Sequence, residues 1–193
     1  MRKMPGSFRE YVDQSGAVLM AAGHALGQVF MDATVDTIVG ALPVGKPLLV
    51  CGNGGSASDA MHFTAELVGR YLVDRRPFRV FCLCDNPAFL TAWTNDCGYE
   101  AVFARQVEAY GERGAALLGI STSGHSKNVI AAFQKARQMG IKTIALTGEG
   151  GGSLGPLADC LLAVPSRNTP LIQQIHICVY HYLCQQIEEI MGR

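Results

Sequence analysis

The sequence predicts an α/β fold of three layers, a five-stranded parallel sheet with helices on both faces. Three observations predict it. Five short apolar runs, residues 47–52, 79–83, 116–121, 142–148 and 160–165, are nearly free of polar alternation. Strands covered on both faces read in this way, because neither side of the strand meets water. Helical stretches separate most of these runs, as the crossovers between parallel strands require. Finally, turns rich in glycine and hydroxyls follow the runs, where open α/β sheets place their ligands.

In chain order, two helices open the sequence, over about residues 7–22 and 26–42. Apolar residues recur there at close to the helical period, for example Val29, Ala33, Ile38 and Leu42. "PLLVCG" is the first strand and residues 56–71 the next helix. "RVFCL" is the second strand. "WTNDCGYE" places Asn95 and Asp96 in a loop after a short helix, and Asn-Asp is a frequent turn pair. "ALLGIS" is the third strand, leading into a helix over about 126–139. "KTIALTG" and "CLLAVP" are the fourth and fifth strands, and a long helix over about 169–191 closes the chain. The whole chain, 1–193, is expected to form one domain, with helices over about 1–45 and an α/β core over about 46–193.

Composition narrows the function classes. The chain has 193 residues, 49% hydrophobic and 17% charged, enough to bury a core without staples. Sixteen basic residues balance sixteen acidic ones, so no basic excess points to nucleic acid. Two basic residues near the start, Arg2 and Lys3, are not followed by an apolar run, so no signal peptide is read there. No uninterrupted apolar run reaches the roughly 18 residues of a membrane span. A cytoplasmic protein with no membrane partner is expected. The seven cysteines are odd in number and several lie in apolar runs, which suits buried reduced thiols better than a disulfide framework.

Two loops could hold an anion. "CGNGGSASDA" follows the first strand. Its glycines let the backbone approach a ligand, the next helix offers free N–H groups, and Ser56 could cap that helix or donate to phosphate. The spacing matches neither a Walker A loop nor GxGxxG. "GISTSGHS" follows the third strand and sets the hydroxyls of Ser121, Thr122, Ser123 and Ser126 around one glycine, again before a helix. A tight strand-to-helix turn is the plain structural alternative for each, and two such loops on one sheet edge favour phosphate. "LTGEGGGS", after the fourth strand, is read as a turn only.

His62 and Glu66 lie four apart on a helix and share a face, an arrangement suited to metal ligation or proton transfer, or equally to a surface pair. Apolar neighbours argue for a largely buried helix. In the closing helix, Gln173, His176 and His181 interrupt an apolar run and need partners. Gln173 and His181 are eight apart, about 12 Å along the axis, so in a shared site the two would have to reach toward each other or the site would draw on more than one chain, the second being the expectation. His176 reads as a hydrogen-bonded packing histidine, and His24 and His125 as structural or solvent-facing.

Taken in order and spacing, "GNGGSASDAMHFTAELVGRY", "NDCGYE", "GISTSGHSKNVIAAF", "LTGEGG" and "TPLIQQIHICVYH" resemble the motifs of the phosphoheptose isomerases, sedoheptulose-7-phosphate isomerases of the SIS domain family. The resemblance spans nearly the whole chain. It implies the flavodoxin-like SIS fold and a homotetramer with active sites between subunits, the N-terminal helices and the long last helix lying in the interface. It implies conversion of a sugar-phosphate substrate, sedoheptulose 7-phosphate, to D-glycero-D-manno-heptose 7-phosphate, the first step toward nucleotide-activated heptose for lipopolysaccharide, capsule or glycoprotein. Residue by residue, Asn53, Gly54, Gly55 and Ser56 match a substrate-binding turn. Ser121, Thr122, Ser123 and Ser126 match a phosphate loop, and Asn95 and Asp96 a substrate-contacting pair. Glu66 matches a general base and His181 a general acid. His62, Glu66, Gln173 and His181 match the zinc ligands of some members, Gln173 also contacting substrate.

Leu171 stands where a basic residue is common, Gln174 where Glu is usual, His125 where Asn or Lys is frequent, and Cys97 where an aromatic is frequent. The resemblance extends to non-catalytic tetrameric SIS adaptors that bind the replication initiator protein. Those lack the carboxylate and the last histidine, and both Glu66 and His181 are present here. Regulatory SIS domains are usually joined to a DNA-binding domain, for which this length leaves no room.

Overall fold

The structure, a computed structural model, describes residues 6–192; Arg2 and Lys3 lie outside the described residues. Strands β1 (Leu48–Gly52), β2 (Val80–Cys82), β3 (Ala116–Ser121), β4 (Lys142–Thr147) and β5 (Cys160–Ala163) form one parallel sheet in the order β2-β1-β3-β4-β5. Every residue of β1 and β3 is buried, which is why both read as unbroken apolar runs. Alternate residues still serve opposite faces. Leu48 and Val50 join one core cluster, Leu49 and Cys51 the other.

Helices α1 (Phe8–Ala41), α2 (Gly55–Val68) and α6 (Thr169–Met191) cover the first face. Helices α4 (Val102–Tyr110) and α5 (Lys127–Gln138) cover the second, and α3 (Pro87–Cys97) precedes α4. This is the three-layer arrangement the sequence predicts.

Three expectations need correction, while the two opening helices are present as the two halves of α1, divided at Gly27, whose φ of 52° and ψ of 153° are open to glycine. The buried face of its second half is Met31, Thr34, Val35, Ile38 and Ala41, while Val29 and Ala33 point outward. Asn95 and Asp96 lie inside the last turn of α3 and not in a loop after it. Of the thiols expected to be buried, Cys97 and Cys178 are exposed, although all seven are free.

Among the described residues one helical run, Phe8–Val44, is long and apolar enough to cross a membrane, with a mean hydropathy of 1.2. The sequence reading passed over it because scattered small and polar residues interrupt the run. The inner face of α1 packs into the core and against α6.

Candidate active site

The two anion-ready loops open side by side, because β1 and β3 are neighbours with Gly52 paired to Ile120. Asn53 and Asn128 join them through a reciprocal amide pair. Asn53 Nδ2 donates to Asn128 Oδ1 at 2.8 Å and Asn128 Nδ2 donates back to Asn53 Oδ1 at 2.9 Å. Tyr99 Oη donates to the same Asn53 oxygen at 2.7 Å. The Asn53 side chain is thus committed to holding its turn, which leaves backbone N–H groups of the turn for a ligand. Ser56 is buried within the first turn of α2, whose cap is Gly54, so its hydroxyl does not cap the helix as the sequence allowed.

In the second loop, Ser121 and Ser126 share a hydrogen bond at 2.9 Å, and Ser123 Oγ accepts from the His125 N–H at 3.2 Å. The "LTGEGGGS" turn buttresses this loop. Leu154 N donates to Gly124 O, and His125 Nδ1 meets Ser153 Oγ at 2.9 Å. Gly124 sits at φ 67°, and a Cβ there would lie 2.2 Å from Gly151 O, so only glycine fits. A cavity of about 380 Å³ adjoins the loop, lined by Thr122, Ser123, His125, Glu149, Ser166 and Arg167. Arg167 is paired with Glu149.

α2 and α6 run side by side and bring the chemistry-bearing residues together. His62 Nε2 lies 3.0 Å from Glu66 Oε1, and His62 Nδ1 lies 2.9 Å from Tyr180 Oη. The His62 and His181 rings meet edge-on at 5.2 Å. One donor atom from each of His62, Glu66 and His181 lies within 4.8 Å of the others. Two imidazole nitrogens and a carboxylate oxygen are the ligand types zinc takes, and the contact of Tyr180 with the far nitrogen of His62 leaves the near one for a metal. The group can therefore hold a metal ion. Asp59, one turn before His62, is buried with Oδ2 unpartnered among the described residues. Burial pushes its carboxyl up to about 6, against the pull of His62. Burial, then the nearby Asp59, raises the Tyr180 phenol well above its usual range, so it stays protonated.

Gln173 sits elsewhere within the chain. Its amide lies over Gly55, where a Cβ would come 2.1 Å from Nε2, and Gly55 is about 10 Å before His62 along α2. Asn95 and Asp96 are exposed and contact each other at 2.8 Å, just before Tyr99. His176 is the packing histidine the sequence suggested, with its Nε2–H donating to Thr147 O at 3.2 Å. Leu171 is buried, and Gln174 donates to Tyr11 Oη at 3.0 Å. Sequence reasoning missed Tyr99, Asn128 and Tyr180. Asn128 alone carried a signal, a polar residue in the first turn of a helix that follows a hydroxyl-rich loop.

Fold and site together define a SIS domain, and a family model of that description matches residues 10–148. A phosphoheptose isomerase of Helicobacter pylori strain P12 is 50% identical over 161 residues, covering 83% of this chain and 84% of that one. Solved phosphoheptose isomerases from Neisseria gonorrhoeae and Francisella tularensis superpose with TM-scores of 0.89 and 0.90, at 36% and 35% identity. Each alignment covers 94% of this chain and 96% of the other. The chain belongs to the phosphoheptose isomerase family, aldose–ketose isomerases built on this domain.

Proposed function

We propose that the chain converts sedoheptulose 7-phosphate to D-glycero-D-manno-heptose 7-phosphate through a cis-enediol, with Glu66 as base and His181 as acid. The observation that carries this reading is the convergence of Glu66 with His62 and His181 on two helices, α2 and α6, whose N-terminal ends adjoin the two phosphate-ready loops. The hydroxyls of Ser121, Thr122, Ser123 and Ser126, with helix-start N–H groups, hold the phosphate. The turn at Asn53, Gly54, Gly55 and Ser56, with Asn95 and Asp96, orients the sugar. Glu66 takes a proton from C1 and returns it at C2. His181 protonates the C2 oxygen and accepts the proton released from the C1 oxygen, so the isomerisation balances.

His62, Glu66 and His181 hold zinc in this reading, and bound zinc supplies electrophilic polarisation of a carbonyl. Gln173, lying over Gly55 about 10 Å from His62, completes the ligand set from a neighbouring chain. A homotetramer would provide that neighbour. Exposed Leu19, Met20, Val29 and Phe30 on α1 give the apolar surface such an assembly needs. Glu66 would serve both as one of the residues holding that ion and as the base that moves the proton between C1 and C2.

The test is purified protein with sedoheptulose 7-phosphate, with and without a chelator, aldose being followed by proton NMR. Aldose formation that falls on chelation and returns with zinc supports the reading. No aldose under any condition would favour a non-catalytic adaptor. Normal turnover by Glu66→Gln would remove Glu66 from the mechanism.

A further inference from the structure

We propose that Tyr71 is a positioning residue for His181, held in place by a buried clamp of Arg75 and Glu188. The proposal rests on the reading of His181 given above and adds what fixes its ring. Residues 69–79 connect α2 to β2 without regular structure, and such a connection is ordinarily mobile. Here it is pinned from both sides. Glu188, on α6, accepts the backbone N–H groups of Tyr71, Leu72 and Val73 at 3.1, 2.7 and 3.0 Å. Its carboxylate faces Arg75 Nε at 3.1 Å, the two side chains being 3% and 2% exposed.

The Arg75 guanidinium donates in turn to the carbonyls of Glu66 and Leu67, both at 2.9 Å, and of Gly69 and Arg76, both at 3.2 Å. Its carbon lies 4.0 Å from the centre of the Phe78 ring. An ion pair withdrawn from water to this degree is costly unless its remaining hydrogen-bonding capacity is met. Three amides meet that of the carboxylate and four carbonyls that of the terminal guanidinium nitrogens, while Arg75 Nε, close to the carboxylate, has no hydrogen-bond partner among the described residues. Directional bonds in that number fix a geometry, which an apolar plug of the same volume would not.

What they fix is the neighbourhood of the site. Glu188 lies seven residues after His181 on α6, on nearly the same side of the helix. Arg75 bonds directly to the carbonyl of Glu66. The clamp therefore ties the end of α2 that carries Glu66 to the helix that carries His181. Tyr71, its backbone held by the same carboxylate, lays its ring on the His181 imidazole, with centroids 5.7 Å apart and planes 28° from parallel. Tyr180 and His62 meet that imidazole edge-on at 4.9 and 5.2 Å. The outer torsion of histidine has no sharp rotamer preference, so neighbours must set the ring plane. Tyr71 is the neighbour that lies flat against it.

The experiment compares Tyr71→Phe, Tyr71→Leu and Glu188→Gln with the wild-type protein in three measurements. These are steady-state kinetics on sedoheptulose 7-phosphate, calorimetric titration of zinc into metal-free protein, and amide hydrogen exchange over residues 69–78. Tyr71→Leu is expected to lower kcat about 10- to 100-fold with KM changed less than about threefold, and to weaken zinc binding about tenfold. Tyr71→Phe keeps the ring and is expected to restore both. Glu188→Gln is expected to speed exchange at residues 71–73 about tenfold and to lower kcat in parallel. Wild-type kcat and zinc affinity in Tyr71→Leu, or equal losses in Tyr71→Phe, overturn the proposal. So does Glu188→Gln with fast exchange and undiminished kcat. Should the wild-type protein not isomerise the ketose at all, the functional reading fails instead, and the zinc and exchange measurements still decide the positioning role.

Discussion

His176 gives the sharpest stability prediction. Burial holds its imidazole down at about 4, against an ordinary value of 6.5, the bond to Thr147 only partly opposing the shift. The Nε2–H is used by that carbonyl, and Nδ1 is buried without a partner among the described residues, so a second proton has nowhere to go. As pH falls below about 6.5 the unfolded chain takes up a proton here, and the folded chain does not until about pH 4. Stability from this residue is therefore complete above the upper value and declines through that window. The linkage gives a loss of about 2 kcal/mol at about pH 5, approaching about 3 kcal/mol below the lower value. Asp59 acts with the opposite sign over an overlapping range, since its carboxyl is raised to about 6. A bare pH profile would mix the two. The measurement is therefore urea unfolding of wild type and His176→Gln at one protein concentration from about pH 7.5 to about pH 5. Wild type should lose about 2 kcal/mol relative to the variant across that range. A flat difference would refute the reasoning.

Four further outcomes are expected. Asn128→Asp sets two acceptors against each other at the Asn53 pair, and should cost about 1–3 kcal/mol in unfolding and raise KM for the phosphorylated ketose. Gly124→Ala forces a Cβ into Gly151 O, and should cost about 1–3 kcal/mol and raise KM about tenfold, read by thermal melts and kinetics. Sedimentation should show a species of four chains, and Val29→Asp with Phe30→Asp should shift it to smaller ones, since these side chains are 79% and 58% exposed in the single chain. A five-carbon ketose phosphate should show kcat/KM at least about 100-fold below the seven-carbon substrate, because a phosphate held by the hydroxyls of the loop at Ser121, Thr122, Ser123 and Ser126 leaves its carbonyl short of Glu66.

The strands were legible because burial on both faces removes polar alternation, and that pattern survives in one sequence. α4 was not. It begins without a side-chain cap, straight after a single turn of tighter helix, and buries only Val102, Phe103, Gln106 and Val107. α3 did carry its signal, since Asn86 caps it by accepting from Phe89 N and Pro87 opens it. Reading Asn95 and Asp96 as a turn pair ended that short helix too early. At the site, the spacing of His62 and Glu66 was readable as a shared helical face. Their meeting with His181, 115 positions after Glu66, was not. Local spacing says nothing about which helices pack together, and only the motif resemblance brought the two ends of the chain into one expectation.

The packing of α2 on α6 also explains why the site is divided as it is. Gln173 lies at the level of Gly55, and Tyr180 at the level of His62. Seven residues separate the members on each helix, so the two helices run in step for about 10 Å. One end of this ladder faces the glycine turn and the loop hydroxyls, which suit an anion. The other end gathers a carboxylate and two imidazoles, which suit proton transfer. A substrate with charge at one terminus and a carbonyl at the other is the kind of molecule that engages both ends at once. Binding energy from the remote phosphate can then be spent on orienting the reacting carbons, provided the helices hold their register. The buried contacts of Glu188 with residues 71–73 and of Arg75 with the end of α2 secure that register where the two helices would otherwise be free to part.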